Sequence, residues 1–109
     1  MAIIDRRGSA RYECNLEAAC RPIAMTGNWS GKTADVSARG VGLVLSRRFE
    51  PGTILSVSLC RPEESASLQL ARVCQVRSEG LFWRVGCTWS GELTSDELQG
   101  LLPAEGLPH

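Results

Sequence analysis

Tyr12-Glu13-Cys14-Asn15-Leu16-Glu17-Ala18-Ala19-Cys20 alternates from end to end: Tyr12, Cys14, Leu16, Ala18 and Cys20 fall on one face, Glu13, Asn15 and Glu17 on the other. Successive side chains of an extended chain point to opposite faces, so the pattern predicts a strand with one face on a core and the other in water. The same rhythm recurs outward from this stretch. Arg21-Pro22 ends the strand, and Gly27-Asn28 marks a turn before a second strand over Trp29 to Ala34. Gly40 to Leu45 supplies a third, with Val41, Leu43 and Leu45 on one face. Pro51-Gly52 places Pro second and Gly third in a tight turn. Thr53 to Cys60 follows as a fourth strand, carrying Thr53, Leu55, Val57 and Leu59 inward and Ser56 and Ser58 outward. Beyond the polar loop Pro62-Glu63-Glu64-Ser65, strands over Leu68 to Arg77 and Leu81 to Trp89 flank a Ser78-Glu79-Gly80 turn. The last of them holds Leu81, Trp83, Val85, Cys87 and Trp89 on one face.

Six such strands at about ten-residue spacing predict an all-β fold, a closed or nearly closed six-stranded antiparallel β-barrel. The period then changes. Thr94-Ser95-Asp96-Glu97 matches a capping box with Thr94 as N-cap, and Leu93 and Leu98 occupy the two positions of a hydrophobic staple. A short C-terminal α-helix begins there, with Leu98, Leu101 and Leu102 as its apolar stripe and Pro103 as its stop. A helix of two turns is too short to stand alone, so it is expected to plug one end of the barrel; docking on a partner is the alternative.

The 109 residues fit one domain with a core of its own. The chain divides into a flexible arginine-rich segment over residues 1–11, the barrel with its helix over 12–102, and a frayed tail over 103–109. No run is long enough for a signal-peptide apolar region or a membrane span, and Arg6-Arg7 lacks the apolar segment of a twin-arginine signal. The chain therefore reads as soluble and cytoplasmic, with no membrane insertion. Five cysteines, Cys14, Cys20, Cys60, Cys74 and Cys87, are odd in number and form no Cys-x-x-Cys pair, and the one histidine is the last residue. Neither a disulfide scaffold nor a metal site is expected; buried free thiols fit better.

Formal net charge is zero, but residues 1–48 hold eight Lys/Arg against four Asp/Glu, and residues 49–109 the reverse. An anion would prefer the amino-terminal half. Eleven of the twelve cations are arginine, whose planar fork suits bidentate contact with phosphate and with the O6/N7 edge of guanine.

Two short motifs lie in that half. Arg7-Gly8-Ser9-Ala10-Arg11, preceded by Arg6, leads into the first strand; its forks can grip phosphate or stack on a base. A solvated basic terminus is the alternative. Asp35-Val36-Ser37-Ala38-Arg39-Gly40 lies on the connection between the second and third strands. A carboxylate at Asp35 can accept both N–H donors of a guanine N1/N2 edge, which adenine lacks; Ser37 can donate to phosphate or base, and Gly40 lets backbone approach a ligand. An ordinary Asx-turn closed by Gly40 would use the same residues.

Taken together, the chain resembles the PilZ family, bacterial receptor domains for cyclic di-GMP. Arg7 and Arg11 match its Arg-x-x-x-Arg motif, and Asp35, Ser37 and Gly40 its Asp/Asn-x-Ser-x-x-Gly motif. Arg11-Tyr12, Pro51-Gly52-Thr53, Val85-Gly86-Cys87 and the closing helix are also similar to that family. The resemblance implies a second-messenger receptor whose arginine segment closes over the nucleotide. Arg7 and Arg11 would hold phosphates and guanine Hoogsteen edges, Asp35 and Ser37 a guanine, and Gly40 would give backbone room. An arginine in the place of Arg6 implies an intercalated ligand dimer, two per domain, with no other cofactor. With one domain, the expected role is a stand-alone adaptor that passes ligand binding to an effector protein not identified by the sequence. A protein-interaction module that binds no nucleotide is the alternative. A nucleic-acid-binding barrel stacking bases on Trp29 or Trp83 fits less well, because tryptophans on apolar faces pack in cores. An enzyme is not expected: no Ser or Cys has a base partner, and Glu63-Glu64 reads as solvated charge.

Overall fold

The structure, a computed structural model, describes residues 2–4, 10–60 and 67–101. Eight strands and one helix follow in chain order: β1 Ala2–Ile4, β2 Ala10–Glu13, β3 Glu17–Pro22, β4 Trp29–Val36, β5 Gly40–Leu45, β6 Ile54–Cys60, β7 Ser67–Glu79, β8 Phe82–Trp89 and α1 Ser95–Leu101. Every pairing is antiparallel, in the order β1-β2-β4-β3-β6-β7-β8-β5, and β5 returns to β4. That last pairing closes β4-β3-β6-β7-β8-β5 into the expected six-stranded barrel. Closure leaves no free edge among these six strands, while β2 and β1 continue the sheet outward from one end of β4.

The inward residues of the alternating strands make one core. Val36, Val41, Leu43, Leu45, Leu55, Val57, Val73 and Val85 are at most 1% exposed, and each such side chain contributes about 1.5–3 kcal/mol by leaving water. Turn chemistry follows the sequence. Thr53 N donates to Glu50 O at 3.1 Å across Pro51-Gly52, and Gly52 has φ +96°, the left-handed third position of a type II turn. The helix starts on a reciprocal capping box: Glu97 N donates to Thr94 Oγ1 at 3.1 Å, and Thr94 N donates to Glu97 Oε1 at 2.8 Å. The Thr94 backbone N–H, helped by the Thr94 hydroxyl, lowers the pKa of the Glu97 carboxyl from its ordinary value. Leu93 and Leu101 are buried in the core and Leu98 packs against it, so α1 is docked on the barrel.

Four features differ from the sequence reading. The Tyr12–Cys20 strand is two strands, because four residues advance from Glu13 to Glu17 while β4 advances three, from Asp35 to Lys32. Thr33, 3% exposed, fixes this bulge: its Oγ1 accepts Leu16 N at 2.8 Å and Cys14 Sγ at 3.2 Å. Ala2–Ile4 pairs with β2, and Ala10 and Arg11 lie in β2, so the 11/12 boundary of the arginine segment falls inside a strand. The hairpin between β7 and β8 turns at Gly80-Leu81, with φ +65° at Gly80, and leaves Leu81 92% exposed instead of inward. Cys74 is exposed, whereas Cys20 and Cys87 are buried and Cys14 half-buried; none of these four is in a disulfide. Leu102, Pro103, the 62–65 loop and the tail lie outside the described residues, as does the side chain of Cys60.

Candidate functional site

Three ladder irregularities meet at one place on the barrel wall. Besides the β2–β3 bulge, β4 slips against β5 between Thr33 and Asp35, and β7 slips against β8 between Val73 and Gln75. Bulges re-aim side chains, and they concentrate beside functional sites. Here they bring Asp35, Gly42, Gly86 and Gln75 into one row across β4, β5, β8 and β7, each paired with the next. The neighbours Val41, Leu43, Val85 and Cys87 point into the core, so the row faces outward.

Asp35 carries the charge of this row. It lies inside β4 and not on the connection after it, and it is 17% exposed. Arg84 Nη2 lies 3.2 Å from its Oδ2, and Arg11 Nη1 lies 3.5 Å from its Oδ1. Arg84 also reaches Glu79 Oε2 at 3.5 Å. Gly42 makes room for the carboxylate, since a Cβ there would sit 2.9 Å from Asp35 Oδ1. Two open grooves of about 710 and 540 Å³ share Arg11, Asp35 and Arg84. In the second, Arg77 joins them, so three guanidinium groups face one carboxylate and the groove favours an anion.

Of the residues singled out in the sequence, Arg11 and Asp35 are brought together. Ser37 and Gly40 stand apart from the groove, in a turn sewn shut by its own bonds. Ser37 Oγ accepts Gly40 N at 3.1 Å and Arg39 N at 3.3 Å, Ser37 N donates to Gly40 O at 2.9 Å, and Ser37 is 2% exposed. Gly40 is needed for the strands to approach, because a Cβ there would lie 2.2 Å from Cys87 O. Trp89 Nε1 donates to Ser37 O at 3.1 Å, anchoring the turn to the core. Arg6 and Arg7 lie outside the described residues.

Sequence reasoning missed Arg84, Gln75 and Gly42, and it noted Gly86 only as part of the Val85-Gly86-Cys87 segment, with no role at the site. Arg84 lies between Trp83 and Val85 on the polar beat of a strand, which marks it as outward; only the β5–β8 register puts it beside Asp35. Trp29 packs edge-on against Phe49, with centroids 5.6 Å apart, and Arg47 lies over its ring at 4.5 Å; Arg48 lies over Trp83 at 5.9 Å. Those guanidinium groups cover the ring faces that the base-stacking reading requires. Among the described residues no group of three or more His, Cys, Asp or Glu could hold a metal ion, and no helix is long and apolar enough to cross a membrane.

An all-antiparallel six-stranded barrel with a docked terminal helix and an arginine-lined groove defines a small closed β-barrel domain. The PilZ domain profile matches residues 5–102, and the chain belongs to the PilZ domain family. Among curated proteins none matches it in sequence. Three solved structures are similar. The inhibitor of motility MotI/DgrA of Bacillus subtilis superposes with a TM-score of 0.70 at 23% identity, over 91% of this chain and 49% of that one. The PilZ domain of Escherichia coli YcgR, solved with c-di-GMP, gives 0.70 at 12% identity, over 89% and 86%. K. pneumonia MrkH, solved as its c-di-GMP complex, gives 0.67 at 16% identity, over 89% and 49%. At these identities the likeness is one of fold, and the chain spans about half the length of MotI and MrkH.

Proposed function

We propose that this domain is a bacterial, cytoplasmic receptor for cyclic di-GMP that acts as an adaptor, passing ligand occupancy to an effector protein. The observation that carries the reading is Asp35, set by two bulges into an arginine-lined groove on a PilZ barrel. Its carboxylate can accept the N1 and N2 donors of guanine. Arg11, with Arg6 and Arg7 from the preceding motif, would close over the nucleotide and hold phosphates and Hoogsteen edges. Ser37 and Gly40 would act through the turn that fixes the end of β4. Arg6 would favour an intercalated dimer, two nucleotides per domain.

Arg11 and Arg84 pair with the carboxylate that guanine would use. Binding therefore exchanges two ion pairs for ligand contacts, and both arginines become available to the phosphates. Ordering the segment over the ligand costs about 1–2 kcal/mol per residue in backbone entropy, which several charge-assisted bonds must offset. Isothermal titration with cyclic di-GMP, with GMP and cyclic di-AMP as controls, tests the reading. Selective binding that is lost in Asp35→Ala, with a stoichiometry of two, is expected. A folded sample that binds none of the three would point instead to a protein-interaction module on the same fold.

A further inference from the structure

Gly86 lies in the middle of β8, hydrogen-bonded between β5 and β7, where a glycine is costly: it packs nothing and loses the most backbone freedom on folding. The other strand glycines, Gly31, Gly40 and Gly42, have structural reasons, as do the turn glycines Gly27, Gly52 and Gly80. A Cβ would meet Val44 O at 2.4 Å from Gly31, Cys87 O at 2.2 Å from Gly40, and Asp35 Oδ1 at 2.9 Å from Gly42. Gly27, Gly52 and Gly80 have positive φ. Gly86 has neither reason. A Cβ there would meet only Gln75, its Cβ at 3.8 Å and its O at 3.9 Å, which is ordinary van der Waals contact, and its φ is not in the left-handed region. The fold would accept alanine at this position.

What Gly86 does have is a place. It pairs with Gly42, over which the Asp35 carboxylate lies, faces the same groove as Arg11, Asp35 and Arg84, and leaves bare backbone between that carboxylate and Gln75. Adjacent strands lie about 4.8 Å apart, so Asp35 and Gln75 stand about 14 Å apart across the row, and the two residues of the row between them, Gly42 and Gly86, have no side chains; Arg84, two residues along β8 from Gly86, reaches over β5 to Asp35. Strand-interior glycines mark bulges and sites where a ligand approaches the backbone closely; Gly86 lies opposite the slip in β7, but a Cβ there would make only ordinary contact with Gln75, so the slip does not require it. We propose that the open backbone at Gly86, beside the Asp35 carboxylate, is the floor on which a planar purine base of the ligand lies flat, its polar edge at Asp35, and that Gly86 is an affinity-determining residue of the site. A side chain at Gly86 would lift the ring off the sheet and pull its edge away from Asp35.

The inference rests on the cyclic di-GMP reading, and the test separates the two. The purified chain, Gly86→Ala and Gly86→Leu are each titrated with cyclic di-GMP by calorimetry and melted in its absence. Alanine removes a flexible residue at a compatible position, so Gly86→Ala should melt about 2–6 °C higher. It should nonetheless bind at least about tenfold more weakly, and Gly86→Leu should show no measurable binding. Higher stability with lower affinity is a combination that a packing residue cannot produce. If Gly86→Ala melts lower than the parent, the glycine serves the fold and the proposal fails. If the parent binds and Gly86→Ala binds within twofold of it, the floor is wrong while the receptor reading stands. If the parent itself binds no cyclic di-GMP, both are overturned.

Discussion

Asp35 and Thr33 are two residues apart and do opposite work. Asp35 turns outward beside Gly42 and meets Arg11 and Arg84; Thr33 turns inward and satisfies the backbone where β2 passes into β3. Replacing Thr33 with valine keeps the shape and leaves Leu16 N without its acceptor, at a cost of about 1–3 kcal/mol. Urea denaturation should show that loss; a change below about 0.5 kcal/mol, the usual size of a neutral surface substitution, would mean the bulge does not depend on the hydroxyl. Two buried thiols make a second prediction. Burial pushes Cys20 and Cys87 from 9.0 to about 12, with neighbouring thiols adding to the rise at Cys87. Because the folded values are raised, this stability is fully present below pH 9 and is lost as pH rises toward 12. Each thiol then removes about 1.4 kcal/mol per pH unit. Urea midpoints should fall between pH 8 and pH 10, and less steeply in a Cys20→Ala/Cys87→Ala variant; equal slopes would assign the loss to other groups. Alternation placed both thiols inward. It could not separate them from Cys74, because the slip in β7 changes the beat between Val73 and Gln75.

At the scale of elements, the parts with local chemistry were legible and the parts set by register were not. The Pro51-Gly52 turn, the capping box at Thr94 and Glu97, and the inward beats of β5, β6 and β8 each follow from neighbouring residues. The break at Cys14–Leu16 does not, since Tyr12 to Cys20 keeps its alternation across it and only the partner strand reveals the extra residue. The same limit applies to the site: Asp35 and Arg11 could be named from motifs, whereas Arg84 and Gly86 acquire meaning only when β8 lies against β5. Leu81 follows a related logic. It continues the apolar beat of β8, but Gly80 takes the left-handed position and draws Leu81 into the turn. The helix provides the element-scale prediction. Leu101 is 5% exposed within the core, so Leu101→Ala should cost about 2–4 kcal/mol and Thr94→Ala about 1 kcal/mol. Denaturation midpoints that do not move for Leu101→Ala would mean that α1 is not part of the cooperative unit.

For the whole molecule, closure of the barrel and placement of the site are one event. The row from Asp35 to Gln75 runs across the β4–β5, β5–β8 and β7–β8 pairings of the ring, so the groove exists only when all three have formed. Its guanidinium groups come from β2 and from the β7–β8 hairpin, which are distant in sequence, and the turn at Ser37–Gly40 is pinned to Trp89. An amide-resolved NMR titration of the isotopically labelled chain with cyclic di-GMP tests this account most directly, since it reports binding and location together. The account predicts saturable shifts concentrated at Arg11, Asp35, Gly42, Arg84 and Gly86, with the amides of the opposite wall, β3 and β6, left nearly unmoved. Saturable shifts centred on another face, or a spectrum unchanged by excess nucleotide, would contradict it.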